Sequence, residues 1–273
     1  MDRLIRLFAL TSLLLVSACA WWPAARPALA LQVEASAPAR QSLAPQGRLR
    51  VGVYPGSPTS WVRNPQTGES AGVALELGRL MAQQLQVPVE VVEFARVAEI
   101  IDALKTGQVD MTFTNATPAR ARDVDFTAPL VQLELGLLVP PGSAITTFAH
   151  ADRAGVRIGV SQGSSSQAAL GQRLQQARVL PAASLELAQL MLKAGQIDAF
   201  ATNKGILFEM AEALPGHKVL DDRWGLENLA IAVPKGREAG RVFLNDFARQ
   251  VQQQGHLGAM AARAGLRGMA QSQ

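Results

Sequence analysis

TFTNATPARARDVDFTAP, residues 112–129, is the stretch from which the rest of the chain is best read. Thr112, Phe113, Thr114 and Asn115 read as the end of a strand, Thr117-Pro118 as a turn, and Val124-Asp125-Phe126 as a return to the core. The Thr117 hydroxyl is placed to accept from backbone N–H groups two or three residues on, which starts a helical turn. Arg120 then falls in that turn, beside the strand end. With Thr112, Thr114, Asn115 and Thr117 around it, a planar guanidinium there is suited to grip a carboxylate by two parallel hydrogen bonds. On this stretch alone a solvated surface arginine is the plainer reading. The remainder of the chain shifts the balance.

Before this stretch, residues 49–53 read as a short strand and 54–58 as a loop. Val73, Leu75, Leu77, Leu80, Met81 and Leu85 fall mostly on one helical face, and Val87-Pro88 ends that helix. Residues 89–94 form the next strand, 97–104 the next helix, closed by Gly107, and 109–114 a third strand. Strand–helix–strand order with such connections gives a parallel sheet with right-handed crossovers. Ligands of such sheets bind beyond the carboxyl ends of the strands. The loops at 54–61 and 115–120 are both such ends and are expected to face one cleft, where Tyr54 and Trp61 would offer an aromatic wall unless Trp61 serves in packing.

After an apolar segment at 133–139 and Pro140-Pro141-Gly142-Ser143, the α/β pattern starts again. It repeats Lys-x-Gly-Gln-(Val/Ile)-Asp, first at 105–110 and again at 193–198. Two lobes of one plan follow: lobe one from 48–138 and 231–273, lobe two from 139–230, with a hinge where the chain crosses near Leu138 and Ala230. In lobe two, Gln162-Gly163-Ser164-Ser165-Ser166 is a glycine turn opening a helix, a place where free N–H groups suit an anionic group. Capping by Ser164 alone explains the same residues.

The first 30 residues read as an export leader: Arg3 and Arg6, then an apolar run at 7–16 too short to span a bilayer. Val16-Ser17-Ala18-Cys19 has the form of a lipoprotein cleavage site that would leave Cys19 lipidated, and Ala28-Leu29-Ala30 offers a competing ordinary site. Cys19 is the single cysteine, so the body has no internal disulfide and depends on its core. Residues 31–47, rich in Ala, Pro, Ser and Gln, are expected to form a flexible tether. The pI of 9.7 owes much to the start of the chain. Beyond it, 22 basic residues face 20 acidic ones, and with one tyrosine and no Lys/Arg run this argues against a nucleic-acid binder.

The signature at 112–129 resembles the T-x-x-R…(V/I)-D-F-(S/T)-x-P pattern of family 3 bacterial extracellular solute-binding proteins, the polar amino-acid type that serves ABC transporters. Leu49-Arg50-Val51-Gly52-Val53, Gly72-Val73-Ala74-Leu75-Glu76-Leu77, Leu104 to Asp110 and Ile158 to Ser164 fall in the same order, so the resemblance spans about 48–268. It implies a type II periplasmic-binding-protein-like α/β fold whose lobes are mainly parallel sheets flanked by helices. It also implies a monomer without cofactor or metal, working with an inner-membrane permease and touching the membrane only through a lipid anchor. Arg120 would hold a ligand carboxylate, aided by Gly163, Ser164 and Ser165 across the cleft.

Departures bear on the ligand. Where amino-acid-binding members carry an acid for the ligand's ammonium, this chain has Asn203, followed by Lys204. An amide does not neutralise an ammonium in a closed cleft, and an inward Lys204 would repel it. Carboxylate recognition therefore carries over and α-amino recognition does not, with Glu227, near the returning strand, as a replacement suggested by position. An enzyme is the competing class: a few relatives resemble cyclohexadienyl dehydratase in acting on small cyclic carboxylates, and Glu227 or Asp198 would be the acid. Three histidines without metal-ligand spacing leave metal chemistry without support, and the reading is not an enzyme. A ligand-sensing partner of a membrane protein is the third class.

Overall fold

The computed structural model describes residues 33–63 and 68–270. The leader with Cys19 lies outside them. The elements follow in chain order as α1 (Ala37–Leu43), β1 (Leu49–Val53), β2 (Val62–Arg63), β3 (Ser70–Ala71), α2 (Val73–Leu85), β4 (Val89–Glu93), α3 (Val97–Lys105), β5 (Thr112–Asn115), β6 (Val124–Phe126) and β7 (Val131–Val139). Then come β8 (Arg157–Ser161), α4 (Ser165–Arg173), β9 (Arg178–Ala182), α5 (Leu185–Lys193), β10 (Ala199–Asn203), α6 (Lys204–Glu212), β11 (Lys218–Val219), β12 (Gly225–Pro234), α7 (Arg241–Gln253) and α8 (His256–Arg263).

In lobe one, β1 pairs in parallel with β4 and touches the start of β5 through a parallel bridge between Val51 and Met111. In lobe two, β8 lies in parallel between β9 and β10. The long strands β7 and β12 run antiparallel to each other, Gly225 opposite Leu135 and Leu229 opposite Val131. Beyond that shared segment β12 joins β5 in lobe one, while β7 joins β10 in lobe two. One curled sheet therefore passes through the hinge, and the two faces of each lobe are covered. Period-two alternation along β7 shows this directly: Leu135, Leu137 and Val139 enter one lobe-two core, and Leu138 enters the other. In lobe one, α2, α7 and α8 cover the face bearing Val51, Phe113 and Ile231, and α3 covers the face bearing Val109 and Ala232.

The repeated Lys-x-Gly-Gln-(Val/Ile)-Asp has the same structural role in both lobes. Gly107 and Gly195 stop α3 and α5 at φ of 69° and 61°, and the next N–H closes back on Ala103 or Met191. The aspartate then grips the arginine that starts the neighbouring strand: Asp110 accepts from Arg50 Nε and Nη2, both at 2.8 Å, and Asp198 from those of Arg157 at 3.0 and 2.7 Å. These pairs fix the strand starts, the ends opposite the cleft.

Three expectations need correction. The expected flexible tether is ordered from Val33: Ser36 caps α1, Leu43 is 2% exposed, and Arg40 Nε donates to Leu85 O at 2.6 Å, so the segment docks on lobe one. Leu138 and Ala230 do not mark the crossings; they pair with Phe200 and Thr114 inside the two lobes, and the crossing lies in the β7–β12 segment around 131–135 and 225–229. Finally, the C-terminal segment does not stay with lobe one. After α8, Gly268 O accepts from Glu134 N and Ala270 N donates to Gln132 O, while Arg267 pairs with Glu212 and lies over the Phe208 ring on α6.

Candidate functional site

The carboxyl ends of β1, β5, β8 and β10 converge on one cavity, lined by Tyr54, Thr114, Asn115, Arg120, Ser161, Ser164, Ser165, Asn203 and Glu227 among others. Residues of both lobes line it, and about 30 Å³ of free volume remains inside. Asn115 Nδ2 of lobe one donates to Ser165 Oγ of lobe two at 3.2 Å, and Arg96 Nη1 donates to Ala183 O at 3.3 Å.

Arg120 sits as the Thr-Pro turn suggests. Thr117 Oγ1 accepts from the Arg120 N–H at 3.2 Å, and its carbonyl accepts from Ala121 N, so the turn begins there. The side chain is 9% exposed, with Nη1 held by Thr114 Oγ1 at 2.8 Å and by Asn115 O at 3.3 Å. No described acidic residue forms an ion pair with it. Burial lowers its pKa from the usual guanidinium value, partly offset by Glu227 across the cavity.

Glu227 is 7% exposed, on the β12 segment between the lobes. Ser165 Oγ donates to Oε1 at 3.1 Å and Asn203 Nδ2 to Oε2 at 3.0 Å. Burial raises its carboxyl above the ordinary range, against the opposing pull of Arg120. The cavity therefore has a guanidinium on its lobe-one wall and a carboxyl group at the hinge.

Several nominated residues have other tasks. Thr112 Oγ1 donates to Gly52 O at 2.8 Å, tying β5 to β1 instead of lining the cavity. Trp61 does not form a cavity wall: it packs against the lobe-one core with Arg63 over its ring. Gly163 does not line the cavity; its N–H is taken by Gln167 Oε1 at 2.6 Å, and its φ of 71° lets it lie against Ala98 of lobe one, where a Cβ would come within 2.6 Å. Ser164 caps α4 while also lining the cavity, so both of its readings hold. Asn203 caps α6 with Oδ1 and directs its amide to Glu227. Lys204 points away from the cavity, to Glu134 at 2.8 Å and Asp221 O at 2.7 Å, so it repels nothing bound there. Asp198 sits with Arg157 at the far strand ends and has no access to the cavity. Among lining residues not anticipated are Ser161, at the end of β8, and Arg96, Val97, Ser184 and Leu185 from the loops after β4 and β9. All of them lie at or just after the carboxyl ends of strands, β4, β8 and β9, where the strand-end rule places ligand contacts.

No group of His, Cys, Asp or Glu among the described residues is arranged to hold a metal, and no described helix is long and apolar enough to cross a membrane. A two-lobed sheet closing on a small polar cavity at its strand ends defines a solute-binding protein of the type II periplasmic fold. The model of the bacterial extracellular solute-binding proteins, family 3, matches residues 49–265, and the chain belongs to that family. It is similar to the ABC transporter glutamine-binding protein GlnH of Bacillus subtilis (strain 168), 26% identical over 71% of this chain and 72% of the relative. The amino-acid-binding protein AabA of Dichelobacter nodosus is 26% identical over 72% of this chain and 80% of its own length. Among solved structures, the ancestral amino acid-binding protein AncCDT-1, a precursor of cyclohexadienyl dehydratase, superposes with a TM-score of 0.71 at 25% identity, covering 82% of this chain and 98% of that one. The L-arginine-bound AbpA from Streptococcus pneumoniae reaches 0.74 at 18% identity, covering 82% and 97%.

Proposed function

We propose that this chain is the exported binding component of an ABC-type uptake system and that it captures an α-amino acid as a monomer, closing its lobes on it and presenting it to a membrane permease. The observation that carries this reading is the buried pair of opposite charges facing one another across the cavity. Arg120 has Nε and Nη2 free of protein acceptors among the described residues, which suits a carboxylate; Glu227 is an ionisable carboxyl group where residue 203 is an amide, which suits an ammonium. This revises the expectation that α-amino recognition is absent: it moves from residue 203 to Glu227, with Asn203 orienting the carboxylate. The names of the relatives, binding proteins for glutamine or amino acids, support delivery to a transporter. Anchoring through Cys19 would keep the domain at the cell envelope.

The test is calorimetry on protein unfolded and refolded to remove carried-over solute, with amino acids and their deaminated analogues. Binding of the amino acids and not the analogues supports the reading. A ligand that is consumed during the titration replaces it with the dehydratase-like reading, for which Glu227 is the available acid.

A further inference from the structure

We propose that the C-terminal segment 266–270 is a third crossing between the lobes, a strap that resists their opening by tying lobe one to the first turns of α6. The strap starts in lobe one, where Arg263 of α8 pairs with Glu76 of α2 and Leu266, 8% exposed, lies in the core. The residues after it leave that core for the crossing stretch of β7. Gly268 O accepts from Glu134 N at 2.9 Å, Met269 bridges antiparallel to Leu133, and Ala270 N donates to Gln132 O at 2.9 Å. The same stretch of β7 pairs with β12, Glu134 opposite Leu226. The sheet is therefore three strands wide where the lobes join, and bending there has to deform the strap as well as β7 and β12.

The strap also reaches lobe two directly. Gly268, at φ 80°, lies on Lys204, the first residue of α6, where a Cβ would come within 2.5 Å of Lys204 Cβ. Leu266 meets the next residue equally closely, its Cδ1 2.7 Å from a Cβ placed on Gly205. One glycine on each side thus lets strap and helix touch along their backbones. Farther along α6, Arg267 pairs with Glu212 and lies 4.7 Å from the centroid of the Phe208 ring. That ion pair contributes little, since its side chains are 47% and 66% exposed. The packing at Gly205 and Gly268 and the two backbone bonds to β7 carry most of the restraint.

Lys204 is where strap, crossing strand and lobe two meet. Its Nζ donates to Glu134 Oε2 at 2.8 Å and to Asp221 O at 2.7 Å, and Gly268 covers its stem. The residue before it, Asn203, caps α6 and donates to Glu227. The strap therefore bears on the turn that carries a cavity-lining side chain, although none of residues 266–270 lines the cavity. The restraint does not depend on which solute is bound.

The experiment is a pulsed electron-spin distance measurement between labels on Val242→Cys in α7 of lobe one and Leu190→Cys in α5 of lobe two, positions 73% and 53% exposed. The refolded chain also carries Cys19→Ser, which removes the single native thiol. Three forms are compared with this parent: Gly268→Val, which sets a branched side chain at positive φ against Lys204, the chain ended after Leu266, and Arg267→Ala. The parent is expected to give one narrow distance. Gly268→Val and the shortened chain should both shift to a longer mean separation with a broader spread, and Arg267→Ala should move less in the same direction. Circular dichroism shows which forms keep the fold, and the shortened chain, which retains the Leu266 anchor, decides if Gly268→Val does not. A distribution unchanged in the folded variants overturns the restraint, as does a parent already as broad as they are. A shorter separation in the variants also overturns it, because the strap would then hold the lobes apart.

Discussion

Arg120 is a guanidinium half satisfied by the protein and half presented to the cavity, and two substitutions test that division. Arg120→Ala should leave the fold intact and weaken amino-acid binding by about 100-fold or more, the order expected when one partner of a desolvated charge pair is truncated. Arg120→Lys should bind nearly as poorly, because a point charge does not reproduce the fork; calorimetry on both decides. Glu227 makes a prediction with two signs. Its carboxyl is held above the ordinary range by burial, so the folded protein keeps this proton at pH values where the unfolded chain has lost it. Stability of the unliganded protein therefore falls as pH rises from the ordinary carboxylate pKa through the raised one, and Glu227→Gln should flatten that part of the profile. Amino-acid affinity runs the other way, falling on acidification through the same raised pKa as the carboxylate is neutralised. Denaturation and titration series across mildly acidic pH measure both. Arg120 was legible in sequence because its turn is local, Thr117 to Ala121. Glu227 was legible only by position, because its meaning depends on Arg120 across the hinge.

The elements repeat one device per lobe, an aspartate after a glycine-stopped helix clamping the arginine of the neighbouring strand. In lobe one the clamp is buried, with side-chain exposures of 8% for Arg50 and 0% for Asp110. Asp110→Ala should cost about 3–5 kcal/mol in chemical denaturation, because it strands a buried guanidinium. Asp198→Ala should cost clearly less, since both partners of its pair are more than a third exposed. The repeat was plain in sequence, though not its purpose, since the arginines stand far from the aspartates along the chain. Composition misled at 31–47: small and polar residues suggested a tether, yet Ser36, Leu43 and Arg40 supply a cap, an apolar anchor and a bond to Leu85 O. The C-terminal segment was likewise assigned by proximity to the helix before it, while its partners, β7 and α6, lie behind the hinge. Ending the chain after Leu266 should remove this strap, and small-angle scattering of the ligand-free protein should then show a larger radius of gyration.

At the scale of the molecule, fold and site follow from one arrangement. Two parallel α/β lobes aim their strand ends at each other, and one curled sheet carries both crossings between them. The α/β alternation and the repeat made this architecture readable; the exact crossing residues were not, because β7 and β12 each run on unbroken while their pairing partners change. Asn115, Ser165 and Glu227, which line the cavity, are also joined by hydrogen bonds between the lobes, so under the proposed function lobe contact and ligand binding share the same groups. The central claim is that closure clasps a zwitterion between Arg120 and Glu227. It is tested most directly by titrating the refolded protein with alanine and with propionate, which differs by lacking the ammonium. The account predicts that alanine binds and that propionate binds about 100-fold more weakly, matching the roughly 3 kcal/mol of a buried charged hydrogen bond. Propionate binding as tightly as alanine would contradict it.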